Sequence, residues 1–410
     1  MEPPNNFIMP LISNVDPRLQ SLTVFTDEPN WTNTFTRNFG KLEFDSNQIQ
    51  KKLNGTWHPV DNAVRDDVFM ARMIANYIQR QSEHQWRNDF HDTWNQIVND
   101  HSRTIEISVV AGDYDMCYKL FSHMYGSALM HGIQQGFTME FWLRNFPRVK
   151  DWVLLNGYDC LLGFLEFMGV TGVQNPEQGA NMLDKDFNPA LKLAFQRLAK
   201  WGYPNLVPPK WQGGLYALQT DLGVFDARMF QSLYQAVKIA RKLENNFDAP
   251  ICEIGGGSGY VIYWLYSMGF KNLTIVDLPE ISLCQAWMLR QNIGPGIVGL
   301  GNETHDSPIS VVGPAEFVKK DYALVINSDS LPEMHKSVIL NYLDHIQQHC
   351  QWFYSINQEA AAAGSTNGID RFTQQVVRHI IYNEYPKMKL IDRNVFWMRK
   401  GYTEEWYQMK

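Results

Sequence analysis

The apolar positions of the chain change their rhythm near residue 248. Before it they recur at helical spacing. Within Asp61 to Asp100, residues Val68, Met70, Met73, Ile74, Tyr77 and Ile78 fall at the intervals of an amphipathic helix. Two short apolar helices are predicted within Phe141–Met168 and a further helix over Asp226–Leu243, with one early strand at Thr104–Val110. Residues 1–60 are rich in Asn and Pro and carry no assignable pattern. After 248, short apolar runs alternate with longer amphipathic ones. The runs predict strands at Pro250–Ile254, Leu273–Asp277, Ile309–Val312, Ala323–Asn327 and Trp352–Asn357. The segments between them predict helices at Tyr260–Met268, Glu280–Gln291, Leu331–Gln347 and Arg371–Asn383. Lys389–Lys400 and Tyr402–Met409 follow as two last strands. This alternation specifies an α/β, Rossmann-like, doubly wound parallel sheet with an antiparallel C-terminal edge. The expected organisation is a mainly helical, substrate-covering domain at 1–245 and a sheet domain at 246–410.

Composition narrows the partners. The chain has 410 residues, 36 Lys and Arg against 43 Asp and Glu, and a net charge of −7. No run of basic residues supplies the positive face that nucleic acid demands, so no nucleic-acid partner is expected. No apolar run approaches the ~18 residues that span a bilayer, and Met1–Asn6 has no basic stretch leading into an apolar one. A cytoplasmic protein without membrane attachment is the expectation. Cys117, Cys160, Cys252, Cys284 and Cys350 are scattered and form no C-x-x-C pair, which suits reduced thiols better than disulfides or zinc. No spacing diagnostic of a metal site is present.

The first strand of the sheet half leads into Glu253-Ile254-Gly255-Gly256-Gly257-Ser258-Gly259. Strand, glycine turn and helix in succession bring backbone close to a ligand. A dinucleotide site would read G-x-G-x-x-G, with pyrophosphate at the helix start. Here the glycines fall at 255, 257 and 259, Tyr260 stands where that motif wants glycine, and Glu253 would repel a pyrophosphate. A carboxylate at that point suits a cationic amino-acid tail, the tail of S-adenosylmethionine. Asp277 ends the next strand, 18 positions after Gly259, where a carboxylate can accept hydrogen bonds from both ribose hydroxyls. Leu278, Asn327, Ser328 and Asp329, at the ends of this strand and a later one, complete the candidate cofactor set with Gly256.

These segments also resemble a known group. Glu253–Gly259 with Asp277-Leu278-Pro279-Glu280, Asn327-Ser328-Asp329-Ser330-Leu331-Pro332-Glu333-Met334 and Asn175-Pro176-Glu177-Gln178-Gly179 are similar to the sugar O-methyltransferase family, over about 155–360. The resemblance implies a class I S-adenosylmethionine-dependent methyltransferase acting on a hydroxyl of a sugar-like small molecule. The Asp-Leu-Pro piece also occurs in plant-type O-methyltransferases, which pair a helical dimerisation domain with the same catalytic fold and use a His-Asp pair after the fourth strand. The corresponding Asn327-Ser328-Asp329-Ser330 has no His, so that mechanism does not transfer. A homodimer is compatible with the resemblance. A phenol, polyketide or amine acceptor is the alternative, and an inactive binding protein with the same fold is the non-enzymatic one.

Methyl transfer to a hydroxyl needs the acceptor oxygen held in line and a base for its proton. His335 is the first candidate. It is expected about one turn into the Leu331–Gln347 helix, on a face with Ile339, Tyr342 and Ile346, where the helix N-terminus keeps an imidazole neutral. His305 with Asp306 is the rival. Glu333 is three residues after Ser330 and fits a capping box as well as catalysis. Gln358 and Glu359 end the fifth strand at the same edge. Trp201, Tyr203, Trp211 and Tyr216 are candidates for stacking on a sugar or on the sulfonium, with core packing as the alternative.

Overall fold

The computed structural model describes residues 52–80, 108–109, 111–130, 133–173, 186–301, 303, 307–359, 375–399 and 401–409. In chain order the elements are β1 (Gly55–Trp57), α1 (Asp67–Arg80), α2 (Tyr114–Ser122), α3 (Gly136–Asn145), α4 (Pro147–Phe167), α5 (Asn188–Lys200), β2 (Tyr216–Thr220), β3 (Gly223–Phe225) and α6 (Ala227–Lys242). Then follow β4 (Ile251–Ile254), α7 (Tyr260–Met268), β5 (Leu273–Val276), α8 (Pro279–Ile293), β6 (Val298–Leu300), β7 (Ile309–Val312), α9 (Pro314–Phe317) and β8 (Tyr322–Ser328). The last are α10 (Lys336–His349), β9 (Cys350–Gln358), α11 (Val377–Glu384), β10 (Met388–Val395) and β11 (Tyr402–Met409).

The main sheet runs β10-β11-β9-β8-β4-β5-β7-β6. From β9 to β6 every described pairing is parallel, and β11 pairs antiparallel with both β9 and β10. This is a Rossmann-like, doubly wound sheet with an antiparallel C-terminal edge. β4, β5 and β7 are buried at every position, because helices cover both faces and leave no polar side to alternate with. Strand order reverses at β4, which pairs with β5 on one side and β8 on the other. At such a switch point the chain leaves β4 and its neighbours in opposite directions and opens a crevice beyond their carboxyl ends.

The half before 245 is largely helical and shares the sheet's core. One cluster of buried side chains runs from Leu53 through Tyr158 and Phe230 to Ile275 and Trp406, while Cys252, Ile254 and Val276 face a second cluster on the other side of the sheet. α1 buries Phe69, Met70, Met73, Ile74 and Tyr77 as its spacing predicts, but Val68 and Ile78 lie on the exposed face. Asp226 starts α6 by accepting the Met229 N–H at 2.8 Å.

Several elements differ from the sequence reading. The region Phe141–Met168 holds the end of α3 and the whole of a single 21-residue α4. Pro147 sets the boundary, since proline fits the first turn of a helix and not its interior. The predicted helix Leu331–Gln347 is broken into a 3₁₀ turn at Leu331–Glu333 and α10. Ser108 and Val109, within the predicted strand Thr104–Val110, are helical. The antiparallel β1-β2-β3 sheet has no counterpart in the apolar pattern, because strands of three to five residues are too short to establish a period. The first residues of the predicted helix Arg371–Asn383, and Asn175–Gly179, lie outside the described residues. No described helix is long and apolar enough to cross a membrane.

Candidate cofactor and acceptor cleft

The turn after β4 owes its shape to glycine. Gly255, Gly257 and Gly259 have φ of 68°, 54° and 77°, a region that side chains disfavour. A Cβ on Gly255 would lie 2.1 Å from Ser330 Oγ, so a strand end from across the switch point packs directly on this backbone. Gly255 and Gly257 line a cleft with an empty volume of about 930 Å³. Gly256 and Gly259 do not point into it. A Cβ on Gly256 would meet Glu253 Oε2 at 2.9 Å, and one on Gly259 would meet Met288 Cε at 3.3 Å. Their smallness lets the turn close over Glu253 and lets α7 and α8 pack.

Glu253 lies beneath this turn and is 2% exposed. Its Oε2 has no hydrogen-bond partner among the described residues. Burial, and then the negative charge of Asp277, push its pKa well above the ordinary carboxylate range. A buried carboxyl in this state is costly to ionise unless a cation arrives.

Asp277 stands one strand over, just past β5, and lines the cleft. Its carboxylate accepts the Leu278 N–H at 2.8 Å and the Gln285 side-chain amide at 2.6 Å. These donors fix its direction. α1 braces the same corner: Arg80 donates to the Asp277 carbonyl at 2.6 Å and to Ser282 Oγ at 3.0 Å, and Tyr77 donates to Glu280 at 3.3 Å. Leu278, Pro279, Ile281, Pro314, Met334, Val338 and Tyr342 give this side of the cleft an apolar wall.

On the other side of β4, Ser328, Asp329, Ser330 and Glu333 line the cleft. Asn327 does not. It is fully buried and ties the strand ends together, donating to the Ile254 carbonyl at 3.0 Å and to Ser330 Oγ at 2.5 Å. Ser330 Oγ in turn donates to Ile254 O at 3.1 Å. That bond corrects the expected capping box: the hydroxyl is turned toward the glycine turn and makes no cap. Asp329 holds φ of 62°, uncommon outside glycine, while its carboxylate accepts from Arg399 at 2.8 Å and Tyr402 OH at 2.7 Å. Glu359 is gripped by both Arg393 nitrogens at 3.0 and 3.1 Å, with Arg378 at 3.6 Å.

His335 is not one turn inside its helix. It is the N-cap of α10, extended at φ −60° and ψ 142°, with Nδ1 accepting the Ser337 N–H at 3.3 Å and lying 2.9 Å from Ser337 Oγ. The ring is exposed and turned to the helix start, while its neighbours Glu333 and Met334 face the cleft. His305 and Asp306 lie outside the described residues. The four aromatic candidates pack elsewhere. Tyr203, Trp211 and Tyr216 are buried in the core, Trp211 edge-on to Trp287, and Arg241 covers the Trp201 ring at 3.9 Å.

The helical half contributes two cleft residues that sequence reasoning missed, Ile133 and Arg228. Ile133 comes within 3.3 Å of a Cβ placed on Gly257. Beside it, Ser258 Oγ donates to Gln134 at 2.9 Å, and Ser328 Oγ donates to Gln235 of α6 at 2.9 Å. No periodicity signals such residues, because they are defined by what the other half places opposite them.

No protein-family model and no curated protein matches the chain. Solved structures similar to part of it include a glycopeptide N-methyltransferase complexed with S-adenosylhomocysteine, 16% identical over 44% of this chain and 90% of that one, with a TM-score of 0.32. Another is the magnesium protoporphyrin IX methyltransferase of Synechocystis with bound S-adenosylmethionine, 10% identical over 44% of this chain and 80% of that one, with a TM-score of 0.32.

Proposed function

We propose that this protein is an S-adenosylmethionine-dependent O-methyltransferase whose acceptor is a hydroxyl of a sugar or glycosylated small molecule. The observation that carries the cofactor is the buried Glu253 carboxyl, with Oε2 unpartnered among the described residues beneath a turn of positive-φ glycines, next to Asp277 in a directed hydrogen-bonding pose. An uncompensated carboxyl at this point suits an ammonium group and opposes a pyrophosphate. Asp277 would hold the ribose hydroxyls, and the apolar wall from Leu278 to Tyr342 would hold the adenine.

The cofactor supplies an electrophilic methyl on a sulfonium. The protein must then orient an acceptor oxygen in line with it and remove a proton. Positioning of this kind contributes through pre-paid entropy, and a placed base adds about 10²–10⁴-fold. Glu333 is our candidate base. It lines the cleft beside Ser328, Asp329 and Ser330. Ser328, Asp329 and Ser330 supply hydroxyl and carboxylate groups beside it, which suits a polyhydroxylated acceptor. The sugar class rests on the resemblance of the Asn327–Met334 segment. We assign acceptor selection to residues 1–245, which deliver Ile133 to the cleft.

Calorimetric titration of the full chain with S-adenosylmethionine tests the cofactor, and absence of binding overturns the reading. A screen of nucleotide-sugars, glycosylated small molecules and phenols for methyl acceptance tests the acceptor. Methylation confined to phenols or amines would replace the sugar assignment and keep the enzyme class.

A further inference from the structure

We propose that Arg228 is the receptor for the carboxylate of the cofactor's amino-acid tail. The inference rests on the reading of the cleft as an S-adenosylmethionine site and adds the residue that selects its zwitterionic end.

Position comes first. The N-terminal part of α6 reaches the carboxyl edge of the sheet, where Gln235 accepts from Ser328 Oγ at 2.9 Å. Arg228 precedes Gln235 by two helical turns on the same face and lines the cleft together with Gly255, Gly257, Ser328 and Asp329. The sheet order fixes the direction of the tail. Asp277 ends β5, the glycine turn ends β4, and Ser328 ends β8, and these strands are adjacent in that order. A ligand with its ribose at Asp277 and its tail over the glycine turn therefore runs toward β8 and Arg228. Two strand spacings are about 9.5 Å, a distance that the tail of a nucleoside-linked amino acid can bridge.

Charge comes second. Among the described lining residues Arg228 is the sole cation, against Asp277, Asp329 and Glu333. Asp329 is already engaged by Arg399 and Tyr402. Asp226, two residues before Arg228, is buried and turned to cap α6. Arg228 is half-buried, and its charge acts on Asp226 and on Tyr402. A cleft this acidic repels a carboxylate except where a guanidinium offers its planar fork, which matches a carboxylate in a bidentate pair. The ammonium of the same tail has Glu253 beneath the turn, so the two charges of the amino acid meet opposite charges at separate points.

Three ligands, each compared with S-adenosylmethionine, test this on the full chain. S-adenosylhomocysteine carries the tail, decarboxylated S-adenosylmethionine lacks only the carboxylate, and 5′-methylthioadenosine lacks the whole amino acid. The wild type is expected to prefer S-adenosylmethionine over its decarboxylated form by roughly 10–100-fold, the worth of one charge-assisted pair. Arg228→Ala is expected to abolish that preference, to weaken S-adenosylhomocysteine by the same factor and to leave 5′-methylthioadenosine unchanged. Arg228→Lys should recover part of the loss. A wild type indifferent to the carboxylate overturns the inference without recourse to any variant. An Arg228→Ala protein that binds S-adenosylhomocysteine normally but shows a raised acceptor KM also overturns it, and gives Arg228 to the acceptor. A wild type that binds none of the three ligands overturns the cofactor reading itself.

Discussion

The two sides of the sheet's carboxyl edge hold their carboxylates in opposite ways. At the ends of β4 and β5, Glu253 is buried with an oxygen unpartnered among the described residues, and the Asp277 carboxylate is held by a backbone amide and a glutamine. Beyond β8 and β9, Asp329 is held by Arg399 and Tyr402, and Glu359 by Arg393. The second arrangement is complete within the protein, since each charge is matched by one of opposite sign. The first is incomplete and costs stability until a cation or hydroxyl donors arrive. On the proposed reading, the carboxyl groups at β4 and β5 select the ligand, and those at β8 and β9 chiefly fix the strand ends. Glu333 lines the cleft between the two and is the proposed base, so it is the first place to test the division. Glu333→Gln keeps the shape and removes the proton acceptor. We expect turnover to fall by about 10²–10⁴-fold with S-adenosylhomocysteine affinity unchanged, measured by single-turnover kinetics and calorimetry. Equal turnover would move the base to a residue outside the described part, with His305 and Asp306 the first to try.

On the ligand-selecting side, Asp277→Ala should weaken cofactor binding by roughly 10²-fold. Each charge-assisted hydrogen bond contributes about 1.5–3 kcal/mol, and two ribose hydroxyls are at stake. Unchanged affinity would remove Asp277 from the site. Glu253→Gln should separate stability from binding. The folded state raises the Glu253 pKa, so it retains a proton that the unfolded chain has lost. Stability therefore declines as pH rises above the ordinary glutamate value of about 4.3. Glutamine does not titrate. The variant should melt higher than the wild type at pH 7–8, melt alike below about pH 4, and bind S-adenosylmethionine about tenfold more weakly. A variant that melts lower at neutral pH would mean that the carboxyl is satisfied in the ligand-free protein. On the matched side, Asp329→Asn should do the reverse. Asparagine tolerates the positive φ, but Arg399 loses its counter-charge. Melting should report a loss of about 1–3 kcal/mol, with S-adenosylhomocysteine affinity changed less than about threefold.

The same contrast explains what could be read from sequence. β4, β5, β7 and α7 were legible almost to the residue, because buried parallel strands are continuous apolar runs and the glycine turn marks the junction between strand and helix. The places of Glu253 and Asp277 were legible because each follows from its position at a strand end. Residues whose place depends on a partner far along the chain were not. Ser330 and Glu333 have the spacing of a local cap, yet the Ser330 hydroxyl goes to a carbonyl 76 positions away. Trp211 and Tyr216 are as aromatic as a sugar platform requires, and only packing against Trp287 and Trp57 shows them to be core. Arg228 sits in an ordinary amphipathic helix and acquires meaning only from the cleft that helix faces.

The smallest expected effect concerns His335, and it separates a cap from a base. A base for methyl transfer must reach the acceptor oxygen, and its loss removes orders of magnitude from turnover. A capping ring only satisfies one donor at a helix start, and losing a cap costs about 0.5–2 kcal/mol. The His335 ring sits as a cap does, since Nδ1 faces the Ser337 N–H, the side chain is exposed, and the backbone is extended just ahead of α10. His335→Ala should therefore lower stability by about 1 kcal/mol and keep turnover within a few-fold. His335→Asn should restore the stability, since asparagine is among the best N-caps, although it cannot act as a base at neutral pH. If both variants lose turnover by a hundredfold or more while asparagine restores the fold, the ring swings into the cleft during the reaction, and His335 replaces Glu333 as the base.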